Sequence, residues 1–193
     1  MKIAGVIIAG GRSTRMGEEK AFLTLGGRSI LARVIERLVP QVTSITINAN
    51  GPAERFSSLG LMVIPDLRSD VGTPLAGLHA GLKWGREHDF DAILTVPSDC
   101  PFLPHDLARR LAAHHPRPAI AASGGQSHFL TGLWPQHLLE TLERAITVER
   151  MDRVKDWARL VDAVPVDWPI TPHDPFLNIN TPDDLAAAQR VAE

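Results

Sequence analysis

Two groups of residues in this chain have the types and spacing to handle phosphate. The first is the run Gly10-Gly11-Arg12-Ser13-Thr14-Arg15-Met16-Gly17-Glu18-Glu19-Lys20, which follows directly on an apolar stretch. Paired glycines let backbone amides come close to an anion, and consecutive N–H groups in a tight loop form a cradle for it. Arg12, Arg15 and Lys20 add donors that match phosphate oxygens. The spacing is neither GxxxxGK[ST] nor GxGxxG, so the two commonest glycine-rich nucleotide loops are excluded. The second group centres on Asp99, held between Pro97 and Pro101 after another apolar run. A hard cation such as Mg²⁺ takes one or two carboxylates and completes its shell with water and substrate phosphates. Asp99 meets that need, although the same residue would also serve as a turn aspartate ahead of the helix that follows Pro104.

Asn48 and Asp66 close two further apolar segments. An amide and a carboxylate there suit the hydroxyls of a ribose or the N–H edge of a base; as turn residues they would carry no ligand. The stretch from Gly72 to Gly77 offers small residues and Pro74, so that backbone could lie against a flat base. His114-His115 and Glu87-His88 lack metal-ligand spacing. His128, just past Gly124-Gly125, is open to either reading, surface loop or site. There is no GxSxG elbow and no suggested Cys–His pairing, and phosphate chemistry needs neither.

These residues need a frame that brings them together. Ile3 to Ala9 is a continuous apolar, β-branched run ended by glycine, the pattern of a strand buried on both faces. Ser29 to Val39 puts Ile30, Leu31, Val34, Ile35 and Leu38 on one helical face, and Pro40 stops it. Thr43 to Asn48 predicts a strand, Pro52 to Leu59 a short helix, and Leu61 to Ile64 a third strand. Leu75 to Trp84 has helical spacing, and Ala92 to Val96 predicts a fourth buried strand. A helix follows from His105 to His114. Strands at Ile120 to Ser123 and Phe129 to Trp134 flank the double glycine, Gln136 to Ile146 is helical, and Leu160 to Val166 is strand-like. The last helix opens with Thr181 as cap, Pro182 behind it and Asp183 and Asp184 in the first turn. Alternating strands and helices imply right-handed crossovers. The expected fold is three-layer α/β, a mostly parallel sheet with helices on both faces. Ligands of such sheets bind beyond the C-terminal strand ends, which gathers Gly10, Asn48, Asp66 and Asp99 on one edge.

A length of 193 residues fits one domain, 1–193. The net charge of −2, with both signs mixed, argues against a nucleic-acid partner. No apolar run reaches the ~18 residues of a membrane span. The apolar N-terminus is followed at once by charged residues rather than a cleavage pattern, so it is read as a first strand and not a signal peptide. The single cysteine, Cys100, gives no sign of an oxidising compartment. A cytoplasmic protein is expected.

The order of these blocks resembles a known family. Ile8-Ala9-Gly10-Gly11, Arg15-Met16-Gly17 and Lys20 are similar to the signature of nucleotidyltransferases. Asn48-Ala49-Asn50, Asp66, Gly72-Thr73-Pro74-Leu75-Ala76-Gly77, Pro97-Ser98-Asp99-Cys100-Pro101-Phe102 and Leu177-Asn178-Ile179-Asn180-Thr181-Pro182 narrow the resemblance to the molybdenum cofactor guanylyltransferases. The resemblance implies a Mg²⁺-dependent transfer of GMP from GTP to the phosphate of a molybdenum-pterin cofactor, with transient contact to cofactor-biosynthesis or acceptor enzymes. It implies that residues 1–103 form the nucleotide-binding half and 104–193 the acceptor-binding half, and that Ile8, Ala9, Gly10, Gly11, Lys20, Asn48, Asp66, Gly77 and Asp99 contact the nucleotide. It further implies that Asp99 holds the metal, that Arg15 and Lys20 stabilise phosphate charge, and that Arg153, Asn178 and Asn180 serve the acceptor side. The match is looser at Glu149-Arg150-Met151-Asp152-Arg153-Val154, where Arg153 takes the place of the second arginine of a Gly-Glu-Arg-Arg run, and at Leu130 to Trp134. Two other readings remain open: a transferase using CTP or a sugar phosphate, and a non-catalytic partner that binds GTP or the cofactor. Lys20→Ala should slow single-turnover nucleotidyl transfer by roughly 10²-fold, the scale of losing one charge-stabilising donor. Arg12→Ala should cost less.

Overall fold

The computed structural model of the chain describes residues 1–9, 22–67 and 73–192. Its centre is a seven-stranded sheet in the order β5-β4-β1-β6-β8-β7-β9. The strands are β1 (Ile3–Ile8), β4 (Ser44–Asn48), β5 (Met62–Ile64), β6 (Ala92–Pro97), β7 (Ala119–Ser123), β8 (Gln126–Pro135) and β9 (Val164–Trp168). A separate two-stranded hairpin, β2 (Thr24–Leu25) and β3 (Arg28–Ser29), precedes the first helix. In the main sheet β5, β4, β1 and β6 run parallel, β8 runs antiparallel to both its neighbours, and β9 is again parallel to β7. The expected mostly parallel sheet is therefore the observed one.

Helices α1 (Ile30–Leu38), α2 (Pro74–Glu87), α3 (Leu107–Ala112), α4 (Leu139–Thr147), α5 (Val154–Leu160) and α6 (Pro182–Ala192) complete the fold. Alternation along β1 divides the core. Ile3 and Ile7 face Leu31, Val34 and Leu38 of α1 together with Leu107 and Leu111 of α3. Ala4, Val6 and Ile8 face Leu75, Leu78 and Leu82 of α2, in a layer that also holds Leu142 of α4 and Trp157 of α5. A third cluster joins Leu25, Ile30, Phe102, Ile179 and Ala188, so α6 covers the hairpin and the loop beyond β6.

Local signals account for most boundaries. Ser29 caps α1 by accepting from the Ala32 N–H at 3.1 Å. Thr181 accepts from the Asp184 N–H at 3.1 Å, and the Asp184 carboxylate accepts from the Thr181 N–H at 2.8 Å, a reciprocal cap that starts α6 where the sequence places it. Gly124 and Gly125 take φ of 54° and 79°, the two positive angles that a tight β7–β8 turn requires. The expected strand from Leu160 to Val166 is corrected. Leu160 ends α5, whose Val154, Trp157 and Ala158 are buried at helical spacing, and the chain turns through Asp162 at φ 50° before β9 begins at Val164. The segment 52–59 forms a 3₁₀ helix, Ala53–Leu59, and the expected helix from His105 to His114 shortens to α3.

The antiparallel strand carries the main irregularity. β7 pairs Ile120 with Gly132 but Ala121 with His128, so Phe129, Leu130 and Thr131 bulge out of that ladder. On its other side β8 pairs with β6 only from Ala92–Pro135 to Thr95–Gly132. Thr95 pins the point of divergence: its hydroxyl donates to the Leu130 carbonyl at 2.8 Å and accepts from the indole N–H of fully buried Trp134 at 2.9 Å. Thr95→Val keeps the shape but strands that indole N–H and a carbonyl, at about 1–3 kcal/mol for each buried unsatisfied group. Urea titration should show a lowered midpoint with an unchanged slope.

Candidate active site

The four parallel strands end in register. Ile64 lies opposite Asn48, Asn48 opposite Ile8, and Ile8 opposite Pro97. Hydrogen bonds carry the alignment past the sheet, from Ala9 N–H to the Asn48 carbonyl at 2.8 Å and from Ser98 N–H to the Ile8 carbonyl at 3.2 Å. The residues expected at the strand tips therefore share one edge. Asn48, 1% exposed, donates its side-chain amide to Asp66 at 3.0 Å and to the Ile64 carbonyl at 3.3 Å. Asn50 completes the clamp: its amide donates to the other Asp66 oxygen at 2.8 Å, and its carbonyl accepts from the Asp66 N–H at 2.9 Å. Asp66 is thus fixed at the mouth between β4 and β5.

Gly77 sits in the first part of α2, directly against Asn48. A Cβ there would stand 2.2 Å from Asn48 Oδ1 and 3.2 Å from Ile8 Cδ1. The same helix approaches the sheet through Gly81, where a Cβ would meet Ile93 at 3.0 Å, and Gly85, where it would meet Gln136 at 2.4 Å and Ile93 at 2.8 Å. Gly77 therefore acts first by letting Asn48 take its place.

At the other end of this edge, Asp99 follows β6, and its carbonyl accepts from the Ile179 N–H at 3.0 Å. That bond lays the segment before α6 against the β6 tip. Ile179 is buried while Asn178 and Asn180 on either side are exposed, as alternation in an extended segment demands. Burial, with the nearby charges of Asp99 and Asp174, pushes the Cys100 thiol well above its usual range. It stays protonated and donates to Asn178 Oδ1. With its carbonyl so engaged, Asn178 offers its two amide protons, which suits an anionic acceptor better than a metal. The Asn180 N–H donates to Asp184 at 2.9 Å, which ties this residue to the start of α6.

Between the β6 tip and the β8 bulge lies a cleft of about 250 Å³, lined by Pro97, Cys100, Ser127, His128, Phe129, Leu130, Thr131 and Asn178. It joins the Asp99 end of the edge to the C-terminal half of the chain. Arg153 is exposed at the N-cap of α5, two residues before Lys155, whose ammonium stands 5.9 Å from the centre of the Phe129 ring. The α5 start thus borders the cleft.

Of the expected site residues, Ile8, Ala9, Asn48, Asp66 and Gly77 come together at one end, and Asp99, Asn178 and Asn180 at the other. Gly10, Gly11, Arg15 and Lys20 lie outside the described residues. Sequence reasoning passed over the clamp role of Asn50, the thiol donor Cys100, the cation Lys155 and the pair Ser123 and Asp174 that holds His128. Only Asn50 and Cys100 had a signal, their places in the Asn48-Ala49-Asn50 and Pro97-Ser98-Asp99-Cys100-Pro101-Phe102 blocks.

Comparison with known proteins bears on this geometry. The family described as the MobA-like NTP transferase domain matches residues 5–163. The chain belongs to that family. A molybdenum cofactor guanylyltransferase of Bradyrhizobium sp. (strain ORS 278) is 43% identical, over 98% of this chain and 93% of its own length. That of Rhodobacter capsulatus is 44% identical, over 98% and 96%. The crystal structure of molybdopterin-guanine dinucleotide biosynthesis protein A from Archaeoglobus fulgidus is similar with a TM-score of 0.74 at 25% identity, over 99% of this chain and 98% of that one. A 4-diphosphocytidyl-2C-methyl-D-erythritol synthase from Anaerococcus prevotii shares the fold at 15% identity and a TM-score of 0.74. This chain is a nucleotidyltransferase of the MobA-like family.

In such a transferase the Gly77 contact is testable. Gly77→Ala should push Asn48 away from Asp66, a hydrogen bond to a charged group worth about 1.5–3 kcal/mol. Nucleotide affinity measured by calorimetry should fall about tenfold or more. Unchanged affinity would mean that Asn48 and Asp66 do not hold the nucleotide.

Proposed function

We propose that this chain transfers GMP from GTP to the terminal phosphate of a molybdenum-pterin cofactor, giving the guanine dinucleotide form and pyrophosphate. The observation that carries the chemistry is the meeting of the two halves at Asp99, whose backbone binds the Asn178–Asn180 segment across the edge where the nucleotide strands end. The names of the full-length relatives at 43–44% identity support the substrate pair. The CTP reading rests on a likeness of fold alone.

The reaction needs no protein nucleophile. An oxygen of the acceptor phosphate, already anionic, attacks the α-phosphorus of GTP; the new P–O bond forms as the bond to the β-phosphate oxygen breaks, and pyrophosphate leaves. Catalysis then consists of alignment and neutralisation of charge. Asn48, Asn50 and Asp66 orient the nucleoside, with the Asp66 carboxylate toward the ribose or the guanine N–H edge. Asn178 holds the acceptor phosphate through its amide protons. Arg15 and Lys20 act on the transferring and departing phosphates. Arg153, at the rim of the cleft, meets the acceptor.

A divalent cation fits the donors present. Asp99 is a strand-tip carboxylate, and among the described residues no three of His, Cys, Asp and Glu gather into a cage of their own. One carboxylate completed by phosphate and water is how Mg²⁺ is commonly held. Bound there by Asp99, Mg²⁺ would neutralise charge on the phosphate oxygens. The reaction belongs in the cytoplasm, where GTP is supplied, and transient contact with the enzymes that make or receive the cofactor would pass it on. Among the described residues no helix is long and apolar enough to cross a membrane.

Asp99→Ala should abolish transfer while leaving the thermal midpoint near that of the parent protein. GTP with Mg²⁺ should protect the protein against heat more than ATP or CTP does, because a ligand bound only to the native state stabilises it. Near-normal turnover of the variant at limiting Mg²⁺ would remove Asp99 from the site, and stronger protection by CTP would overturn the guanine assignment.

A further inference from the structure

His128 stands out because its surroundings are built for one protonation state. Its Nε2 lies 2.7 Å from Ser123 Oγ, and that same hydroxyl donates to Asp174 Oδ1 at 2.9 Å. Asp174 Oδ1 also accepts from the Phe176 N–H at 2.9 Å, so the carboxylate is fixed from two sides. A serine hydroxyl has one proton. Here it goes to the carboxylate, which only accepts, so Ser123 can only accept from the imidazole, and Nε2 must carry the hydrogen. In the neutral ring the other nitrogen, Nδ1, is then an acceptor. Burial lowers the tendency of His128 to take a proton, with Asp174 opposing, so the ring is uncharged at neutral pH. Its plane is held against Phe176, with centroids 4.7 Å apart, and Phe176 in turn meets the edge of Trp168 at 5.4 Å. The tautomer is set by Ser123, five positions away, and the orientation of Ser123 and the ring plane are set by Asp174 and Phe176 from a distant loop.

What this device faces is the cleft. Five consecutive residues of β8, Ser127 to Thr131, line it, three of them the bulged residues and one of them His128. A surface histidine does not need a serine and an aspartate to choose its tautomer. Moreover, Nδ1 has no hydrogen-bond partner among the described residues. A ligand that brings an N–H donor and fits a space of about 250 Å³ flanked by Phe129 and Leu130 would match this lining.

We propose that the cleft between β6 and β8 takes the ring system of the acceptor, and that His128 Nδ1 accepts a hydrogen bond from a ring or exocyclic N–H of that heterocycle. This rests on the reading of the acceptor as a pterin, whose pyrimidine edge carries such donors. The acceptor phosphate then reaches Asn178 and the Asp99 end of the same cleft, while guanine, which has a similar edge, is kept apart at Asn48 and Asp66. His128 is thus a specificity residue for the acceptor, and Ser123 and Asp174 are positioning residues that act through it.

The test is steady-state transfer with GTP and the molybdenum-pterin acceptor varied separately. His128→Phe keeps a flat ring on Phe176 but has no acceptor atom; the acceptor KM should rise about tenfold, as for one lost hydrogen bond, with the GTP KM unmoved. His128→Asn, whose amide oxygen can occupy the Nδ1 position, should recover most of that loss. Ser123→Ala, which frees the tautomer, should raise the acceptor KM by a smaller factor and again spare GTP. An acceptor KM unchanged in His128→Phe, or KM values for both substrates rising together in His128→Phe and Ser123→Ala alike, would overturn the proposal. A parent protein that binds GTP but transfers nothing to molybdenum-pterin would instead remove the functional reading beneath it.

Discussion

The hydrogen bond from Ile179 N–H to the Asp99 carbonyl joins two parts of the molecule that the topology alone does not bring together. Four parallel strands with in-register ends make the shelf proposed for the nucleotide, yet a shelf offers nothing to a second substrate. By accepting from Ile179, the backbone at the β6 tip recruits a segment some eighty positions downstream and leaves Asn178 and Asn180 exposed on either side of that bond. The burial of Ile179 in the cluster with Leu25, Ile30 and Ala188 makes that placement durable, because moving either asparagine would mean exposing the isoleucine. Cys100 adds to this. As a protonated thiol it fixes the direction of the Asn178 amide, so one apolar residue and one weak donor define the polar surface between them.

Antiparallel β8 has a complementary role. Were it to follow β6 to the tip, the sheet would be closed and the cleft proposed for the acceptor would be filled. Divergence after Thr95 opens the space, and the bulge at Phe129–Thr131 lines it. The Thr95 hydroxyl lets this happen without leaving the buried Trp134 indole N–H unsatisfied. The irregularity is thus supported from inside the core, as is common for bulges beside functional sites.

The parts of this design that were legible in the sequence are those with a local signature. β1 and β6 read as strands because burial on both faces leaves an unbroken apolar run. The α6 cap read correctly because Thr181, Pro182 and Asp184 act within one turn. The outward pair Asn178 and Asn180 followed from a period of two. Leu160 to Val166 was misassigned because its apolar residues straddle the end of α5 and the start of β9, and a run of apolar residues does not say where the backbone turns. The hairpin β2–β3 has two-residue strands, too short for any periodicity. The link from His128 through Ser123 to Asp174 was not legible at all. It depends on a register shift and on a loop some fifty positions away, neither of which leaves a spacing rule in the chain.

The glycines of α2 have a consequence for how the molecule assembles. Gly77 and Gly85 place the helix against Asn48, Ile93 and Gln136 at distances that a methyl group would not tolerate, and at Gly81 a methyl would need Val6 and Ile93 to give by a few tenths of an ångström. Each also removes about 1 kcal/mol of intrinsic helix propensity relative to alanine, so three of them leave a segment of this length with little tendency to be helical by itself. The helix is therefore a product of docking rather than a preformed rod. β1, β4 and β6 supply the surface on which α2 winds, so the stability of this helix is tied to the pairing of the strands beneath it.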